Sequence, residues 1–391
     1  MDSFIISSSD SISITALEVK ELLGKKSISL QETCIIPDCS AKDLAILAYH
    51  SQTAKRVGIV LARIPLKDPS SEKGISAGLE KLSEHIDKKL LLKISTGLKT
   101  FGAFVHKSKN QILSSPDIAS MVGEELAEIL KKSDISLSVN LTSPDLPVLS
   151  IIDGSEILIG VDLVNLALEK RPYKLMSHPS AINGSFAYTL VRLAGVKKGT
   201  FVLDPFCSTG TIIIETAMFQ EGYSCFHFQS KFSGLKIPLV EKEFQKIEDE
   251  LKKQVIHNKP RLYGYDGQVK MMLAAQKNAK IAGIHNAVKF SKASIDWIDA
   301  KFEKHEVECI ITNPPKSSKR LGNEKKILKI YDDLFFQAEY LLKPGGTLAM
   351  LLIHEGQTIE LAKKHHFTVK SSSEIHSGEQ AYRFIIFTSK K

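Results

Sequence analysis

From about residue 200 onward, short apolar runs alternate with longer segments whose apolar residues recur at helical spacing. Thr200–Leu203 is a brief apolar run closing on Asp204, and Thr211–Phe219 continues with helix-compatible residues. Pro238–Ile256 is charged and amphipathic, as a surface helix should be. Arg261–Tyr265 predicts a strand closing on Asp266, and Gln268–Ala282 a helix with Gly283 placed for a left-handed cap. Cys309–Thr312 predicts a buried strand, Ile327–Leu342 a helix, and Gly346–Ile353 a further strand after the Pro344-Gly345 turn. Repeated strand–helix units of this kind build a doubly wound, mostly parallel sheet, so the second half is expected to be a Rossmann-like α/β domain.

The first half has another rhythm. Ile46–Ile64 and Ile118–Lys131 read as helices, and Leu90–Ile94, Phe101–His106 and Val148–Ile152 as strands, a mixture that suggests α+β structure. Pro144, Pro147 and the two prolines within Lys170–Pro179 punctuate the passage to the second half and predict a boundary near residue 170. The expected division is a small ferredoxin-like α+β region over 1–60, a second α+β region over 61–168, and the Rossmann-like domain over 169–391. A chain of 391 residues suits two or three such units.

Composition narrows the class without naming a chemistry. A hydrophobic fraction of 43% and a charged fraction of 25% suit a globular protein. No apolar run reaches the roughly 18 residues that a membrane span needs, and the first residues lack a basic stretch followed by an apolar one, so a cytoplasmic protein is expected. Cys34, Cys39, Cys207, Cys225 and Cys309 are scattered and form no CxxC pair, which predicts buried thiols rather than a metal clamp or a disulfide scaffold. The net charge of +8 adds an electrostatic argument for a polyanionic partner, because basic side chains that neutralise phosphates release condensed counterions.

Three segments carry candidate chemistry. Asp204-Pro205-Phe206-Cys207-Ser208-Thr209-Gly210-Thr211 lies between a predicted strand and a predicted helix, at the carboxyl end of a strand, where doubly wound sheets bind nucleotide-like ligands. A plain strand-to-helix turn is the alternative. Asp266 ends the next strand, where a carboxylate can accept both hydroxyls of a ribose; a solvated loop aspartate is the alternative. Asn313-Pro314-Pro315-Lys316 follows a buried strand, and its two prolines make a stiff loop short of N–H donors. The Asn313 amide oxygen and the Pro314 carbonyl can accept the two hydrogens of an exocyclic amine, aiming its lone pair by positioning rather than by a strong base. Basic residues follow at Lys319, Arg320, Lys325, Lys326 and Lys329, so this loop can hold an RNA backbone or can simply be a solvated helix start. Trp297 and His178 stand apart and are expected to pack or cap.

The Asp204–Thr211 and Asn313–Pro315 segments resemble motifs I and IV of S-adenosylmethionine-dependent amino-methyltransferases. His178-Pro179, Phe186–Ala194 and Asp204 onward are similar to the THUMP-containing RNA guanine-N2 methyltransferases. Lys107–Gly123 and the stretch from Val139-Asn140-Leu141 to Gly160-Val161-Asp162-Leu163 look like the THUMP module, so 61–168 is expected to bind RNA. The resemblance implies methyl transfer to the N2 amine of a guanosine in tRNA, near the acceptor stem, by a monomer that uses S-adenosylmethionine and no metal. It implies that Asp204 to Thr211 bind the cofactor, with Asp204 and Gly210 bordering the methionine moiety, that Asp266 borders the ribose, and that Asn313 meets both cofactor and target amine. Lys107, Lys316, Lys319, Arg320 and Lys325 are the implied RNA contacts.

The chain departs from that family at three positions. Ser208 stands where glycine is usual, Ser294 where an acid contacts the adenine amine, with Asp296 two residues away as a substitute, and Lys316 where an aromatic ring stacks on the extruded base. Two further readings follow: a catalytically silent RNA-binding scaffold on the same fold, and an adenine-N6 methyltransferase of rRNA or DNA, which shares the Asn-Pro-Pro loop.

Overall fold

The computed structural model describes residues 1–69, 71–106, 114–179, 181–227, 232–254, 261–316, 324–353, 355–377 and 380–389. The chain forms two compact units, one of Met1–Glu169 with Phe228–Lys253, the other of Lys170–His227 with Gln254–Lys391.

The first unit is built on one eight-stranded sheet that runs through residues 1–60 and 61–168 alike. Its strands are β1 (Ser3–Ile6), β2 (Ile28–Ser29), β3 (Thr33–Ile36), β4 (Arg56–Pro65), β5 (Thr100–His106), β6 (Ser138–Val139), β7 (Leu146–Asp153) and β8 (Glu156–Asp162), in the order β2-β3-β1-β4-β8-β7-β5-β6. Only the β7–β5 and β5–β6 pairings are parallel. Helices α1 (Ile12–Leu23), α2 (Ala41–His50), α3 (Glu72–Leu79), α4 (Leu82–His85), α5 (Lys88–Ser95) and α6 (Ser115–Lys131) complete its N-terminal part. The segments read as Phe101–His106, Ile118–Lys131 and Val148–Ile152 fall inside β5, α6 and β7.

Two expectations fail here. Ile46–Ile64 is not one helix: α2 ends at His50 and the rest enters β4. Buried Glu18 explains the break, since its carboxylate accepts from the N–H groups of Gln52 (2.7 Å) and Thr53 (3.3 Å) and from the hydroxyls of Ser51 (2.6 Å) and Thr53 (2.7 Å). Backbone that has these partners no longer needs the helix. Beyond it Val57, Ile59, Val60 and Ile64 are β-branched and buried in mid-sheet. Leu90–Ile94 is not a strand but lies in α5, capped by Asp87, which accepts from the Leu90 N–H at 2.9 Å. Leu91 and Ile94 are buried at helical spacing, so four apolar residues in five were read with the wrong period.

In the second unit, α7 (Gly184–Leu193) leads to β9 (Val202–Asp204) and α8 (Thr211–Glu221). The chain then contributes α9 (Glu241–Lys252) to the first unit. There Tyr49 of α2 donates to Glu248 Oε2 at 3.3 Å, and its ring lies 4.7 Å from that of Phe232 and 5.9 Å from that of Phe244. Back in the second unit come β10 (Leu262–Asp266), α10 (Val269–Ile281), β11 (Lys289–Lys292), β12 (Val307–Thr312), α11 (Glu324–Leu341), β13 (Leu342–Leu352), α12 (Gly356–Lys364), β14 (Phe367–Ser377) and β15 (Gln380–Ser389).

These strands order as β11-β10-β9-β12-β13-β15-β14. The first five are parallel, and β15 runs antiparallel to β13 and β14. The chain steps outward one way from β9 and the other way from β12, and such a reversal opens a crevice at the carboxyl ends of the two strands. One face of this sheet packs Leu348, Met350, Ile385 and Phe387 against Leu334, Phe335 and Ala338 of α11. Gly283, with φ +77°, ends the α10 segment in the left-handed conformation expected of it. All five cysteines are buried thiols. Among the described residues no helix is long and apolar enough to cross a membrane.

Candidate active site

Asp204, Asp266 and Thr312 close β9, β10 and β12 at the same edge of the sheet, with Gly264 opposite Asp204 and Ile310 opposite Leu203. The Asp204 carboxyl is buried, at 1% exposure. Its Oδ1 accepts from Thr312 Oγ1 at 2.7 Å and from the Phe206 N–H at 3.1 Å. Burial drives this carboxyl up to about 7 and the neighbouring Asp266 pushes it the same way, while the two hydrogen bonds oppose the shift. One buried acid thus ties the loop after β9 to the end of β12.

The loop from Asp204 to Thr211 is held mainly by backbone groups. Cys207 donates its N–H to Tyr265 O at 2.8 Å, and Ser208 donates its N–H to Asp266 Oδ2 at 3.2 Å. Asp266 Oδ1 accepts from the Gln268 N–H at 2.9 Å, so this acid organises two loops at once. Ser208 is left-handed at φ +49°, the conformation that glycine adopts without a Cβ clash. Gly210 has φ +84°, and a Cβ there would stand 2.8 Å from Phe290 Cζ, so glycine is required. Pro205, Cys207 and Thr209 are buried and Phe206 is half-buried. The Cys207 thiol is pushed up by burial and by both acids, which leaves it an unreactive packing group. Thr209 Oγ1 is buried without a hydrogen-bond partner among the described residues. Gly210 gives α8 no side-chain cap, and the N–H groups of a helix's first turn have no intrahelical acceptor.

Ser294 and Asp296 lie beyond β11, both exposed, with Ser294 Oγ donating to Asp296 Oδ2 at 3.3 Å. The Ala293 N–H donates to Asp266 O at 3.2 Å, which keeps this segment beside the carboxyl end of β10. Trp297 follows at 71% exposure, so it does not pack as expected. The 3-10 turn Ile295–Trp297 buries Ile295 and turns the indole outward. The His178 carbonyl accepts from the Ala181 N–H at 2.9 Å.

In the Asn313–Lys316 loop Pro314 is buried and Asn313, Pro315 and Lys316 are half-buried. Tyr331 of α11 donates its hydroxyl to Pro315 O at 2.9 Å. The Lys316 amine turns inward, donates to Asn313 Oδ1 and lies 5.3 Å from the centre of the Tyr382 ring. Burial lowers this amine to about 8. A cavity of about 290 Å³ opens beside it, walled by Ile327, Tyr331, Ile353 and Gln357 among others. Of the other basic residues, Lys325 and Lys326 are exposed on α11 and Lys329 pairs with Asp333 at 3.3 Å. Lys107, Lys319 and Arg320 lie outside the described residues.

Three contributors went unread in the sequence. Thr312 was seen only as the end of a strand. Asn278, fully buried on α10, donates to Thr209 O at 3.1 Å and to Met176 O at 2.9 Å and accepts from the Met176 N–H at 3.1 Å. Its signal is a lone amide at helical spacing from Met271, Ala274 and Ala275, all buried. Tyr382 lies on β15, beyond the last element that the apolar pattern predicted.

Comparison with known proteins agrees with this geometry. The chain is 26% identical to tRNA (guanine(6)-N2)-methyltransferase of Methanocaldococcus jannaschii over 99% of its own length and 100% of the relative's. The fold matches the crystal structure of a possible methylase from Clostridium difficile 630 with TM-score 0.80 at 21% identity, over 100% of this chain and 98% of that one. It matches SMU.472, described as a methyltransferase and complexed with SAH, with TM-score 0.76 at 16% identity, over 100% and 98% of the two chains. Residues 171–383, more than half of the chain, match the RMKL-like methyltransferase domain. With its crevice at the reversal between β9 and β12 and its two loops joined through Asp204, the chain belongs to the RMKL-like methyltransferase domain family.

Proposed function

We propose that this protein transfers the methyl group of S-adenosylmethionine to the exocyclic N2 amine of a guanosine in tRNA, in the acceptor-stem region. The hydrogen bond from Thr312 to Asp204 carries this reading, because it fixes Asn313, the next residue, beside the loop suited to the cofactor. The full-length match to a tRNA (guanine(6)-N2)-methyltransferase supports the choice of amine and of RNA.

The residues present fit a zwitterionic sulfonium cofactor. Asp204 and Asp266 make an acidic floor that favours a cationic ammonium, and its charge would relieve the raised Asp204 carboxyl. The uncapped start of α8 and the unpartnered Thr209 hydroxyl offer donors to a carboxylate. Asp266 has lone pairs left for ribose hydroxyls, and Ser294 with Asp296 offers acceptors toward an adenine amine. When bound, the cofactor supplies an electrophilic methyl group. Asn313 Oδ1 and the Pro314 carbonyl accept the hydrogens of the target amine and orient its lone pair, so rate comes from positioning. The amine's proton leaves to solvent after transfer.

The region 61–168, with Lys107, is assigned the RNA-binding role. Lys319, Arg320 and Lys325 follow the reactive loop in the chain and are assigned to the RNA backbone. A cytoplasmic monomer suffices for this activity.

Radiolabelled methyl transfer from S-adenosylmethionine to unmodified tRNA tests the reading, with nucleoside mass spectrometry identifying N2-methylguanosine. Asn313→Ala should lower the rate at least ~100-fold, the scale of losing one aligned polar group. A wild-type protein that methylates no tRNA, or methylates adenosine instead, defeats it.

The inward-turned Lys316, sitting on Asn313 Oδ1, favours one second reading, a silent RNA-binding scaffold. Calorimetry separates the two: micromolar binding of S-adenosylmethionine speaks for the enzyme and no binding for the scaffold.

A further inference from the structure

An aromatic amine held for methyl transfer brings a flat ring with it, and an extruded base needs a surface on which to stack. Asn313-Pro314-Pro315-Lys316 contains no aromatic ring. A ring is nevertheless present: Tyr382 of β15 lies under the Lys316 amine, 5.3 Å from nitrogen to ring centre. Phe186 of α7, 4% exposed, packs against it with ring centres 6.3 Å apart at an interplanar angle of 46°. The Tyr382 ring is half-buried and held by this contact, while its hydroxyl makes no hydrogen bond among the described residues.

The position of the Lys316 nitrogen is informative. One N–H donor contacts Asn313 Oδ1 and at the same time sits over the Tyr382 face. The exocyclic amine of a base needs the first contact, and the ring attached to it needs the second. Lys316 therefore stands in for the target amine, and the space that its side chain fills lies between the acceptor and the platform.

We propose that Tyr382, held against Phe186, supplies the face on which the target base stacks, and that Lys316 leaves Asn313 when the base enters. This inference rests on the guanine-N2 reading above. The ring is supplied by the antiparallel strand of the sheet, and the reactive loop supplies only the acceptors.

Steady-state methylation of unmodified tRNA by purified full-length variants tests the idea. Stacking contributes about 1–3 kcal/mol per base, so Tyr382→Leu, which keeps an apolar side chain without a flat face, should lower kcat/KM for tRNA roughly 5- to 150-fold. Tyr382→Phe and Tyr382→Trp should stay within about threefold of wild type, and the affinity for S-adenosylmethionine by calorimetry should not move in any of them. Adding Lys316→Tyr to Tyr382→Leu should recover most of the loss, because a ring then reaches the base from the loop; a merely structural role for Tyr382 predicts no such rescue. Wild-type kcat/KM in Tyr382→Leu, or a loss equally large in Tyr382→Phe, overturns the proposal. Absence of any tRNA methylation by the wild type removes the guanine-N2 reading first and this inference with it, whereas an active wild type leaves the variants to decide on the platform alone.

Discussion

Arg171 and Glu215 form a fully buried fork in the second unit, with Arg171 Nε 2.8 Å from Glu215 Oε1 and Arg171 Nη2 3.1 Å from Oε2. Tyr173 donates its hydroxyl to the same Oε1 at 2.8 Å, and Gly184 at the start of α7 leaves the pair its room. A Cβ at Gly184 would lie 2.4 Å from both Arg171 Cγ and Glu215 Oε1. The pair joins the segment entering the unit to α8, the helix that follows the Asp204–Thr211 loop.

Glu215→Ala should therefore destabilise the second unit by about 3–5 kcal/mol, since it leaves a buried guanidinium without its counter-charge. The double variant Arg171→Met/Glu215→Leu should lose much less, because no charge remains to desolvate. Urea unfolding of the three proteins checks this; equal losses in the single and double variants would show that the pair acts through shape alone.

Ser208 bears a Cβ in left-handed backbone, which costs about 1–2 kcal/mol. Ser208→Gly should recover part of that, the greater freedom of glycine in the unfolded chain offsetting the rest. We expect a small rise in Tm together with equal or tighter S-adenosylmethionine binding. A clear fall in Tm would mean that the contact of Ser208 Oγ with Met271 Sδ, at 3.8 Å, outweighs the backbone strain.

The buried Asp204 carboxyl, raised to about 7, gives a stability that depends on pH. Between roughly pH 4 and 7 the unfolded chain has released this proton and the folded chain retains it, so the folded state binds more protons and stability falls as pH rises. Across that window the contribution is of order 4 kcal/mol. It is fully present below about pH 4 and lost above about pH 7. Asp204→Asn should flatten this part of the profile, so the stability difference between variant and wild type should shift in favour of the variant as pH increases. An unchanged difference from pH 4.5 to pH 8 would place the carboxyl near its ordinary range.

Much of the second unit is legible in the chain because its information is local. Each strand of the parallel core is a short apolar run, each crossover helix has its own period, and Asp204, Asp266 and Asn313 stand at strand ends where such a sheet collects ligands. A motif such as Asn313-Pro314-Pro315 keeps its meaning when read alone, because two prolines restrict the backbone whatever surrounds them. The first unit yielded less. Whether residues after His50 continue as helix depends on the carboxylate of Glu18, 34 positions from the Gln52 N–H that it binds.

What only the tertiary structure decided depends on partners far apart in the chain. Thr312 and Asp204 are 108 residues apart, yet one hydrogen bond between them sets the relation of the Asp204–Thr211 loop to the Asn313–Lys316 loop. The direction of Lys316 is of the same kind. Basic sequence around it suggested an RNA contact or a solvated helix start, but burial beside Asn313 and the ring of Tyr382, contributed by the last strand, turn it inward. Periodicity reports which residues seek the interior; which of them meet there depends on the order in which strands pair, and that order is a property of the whole sheet.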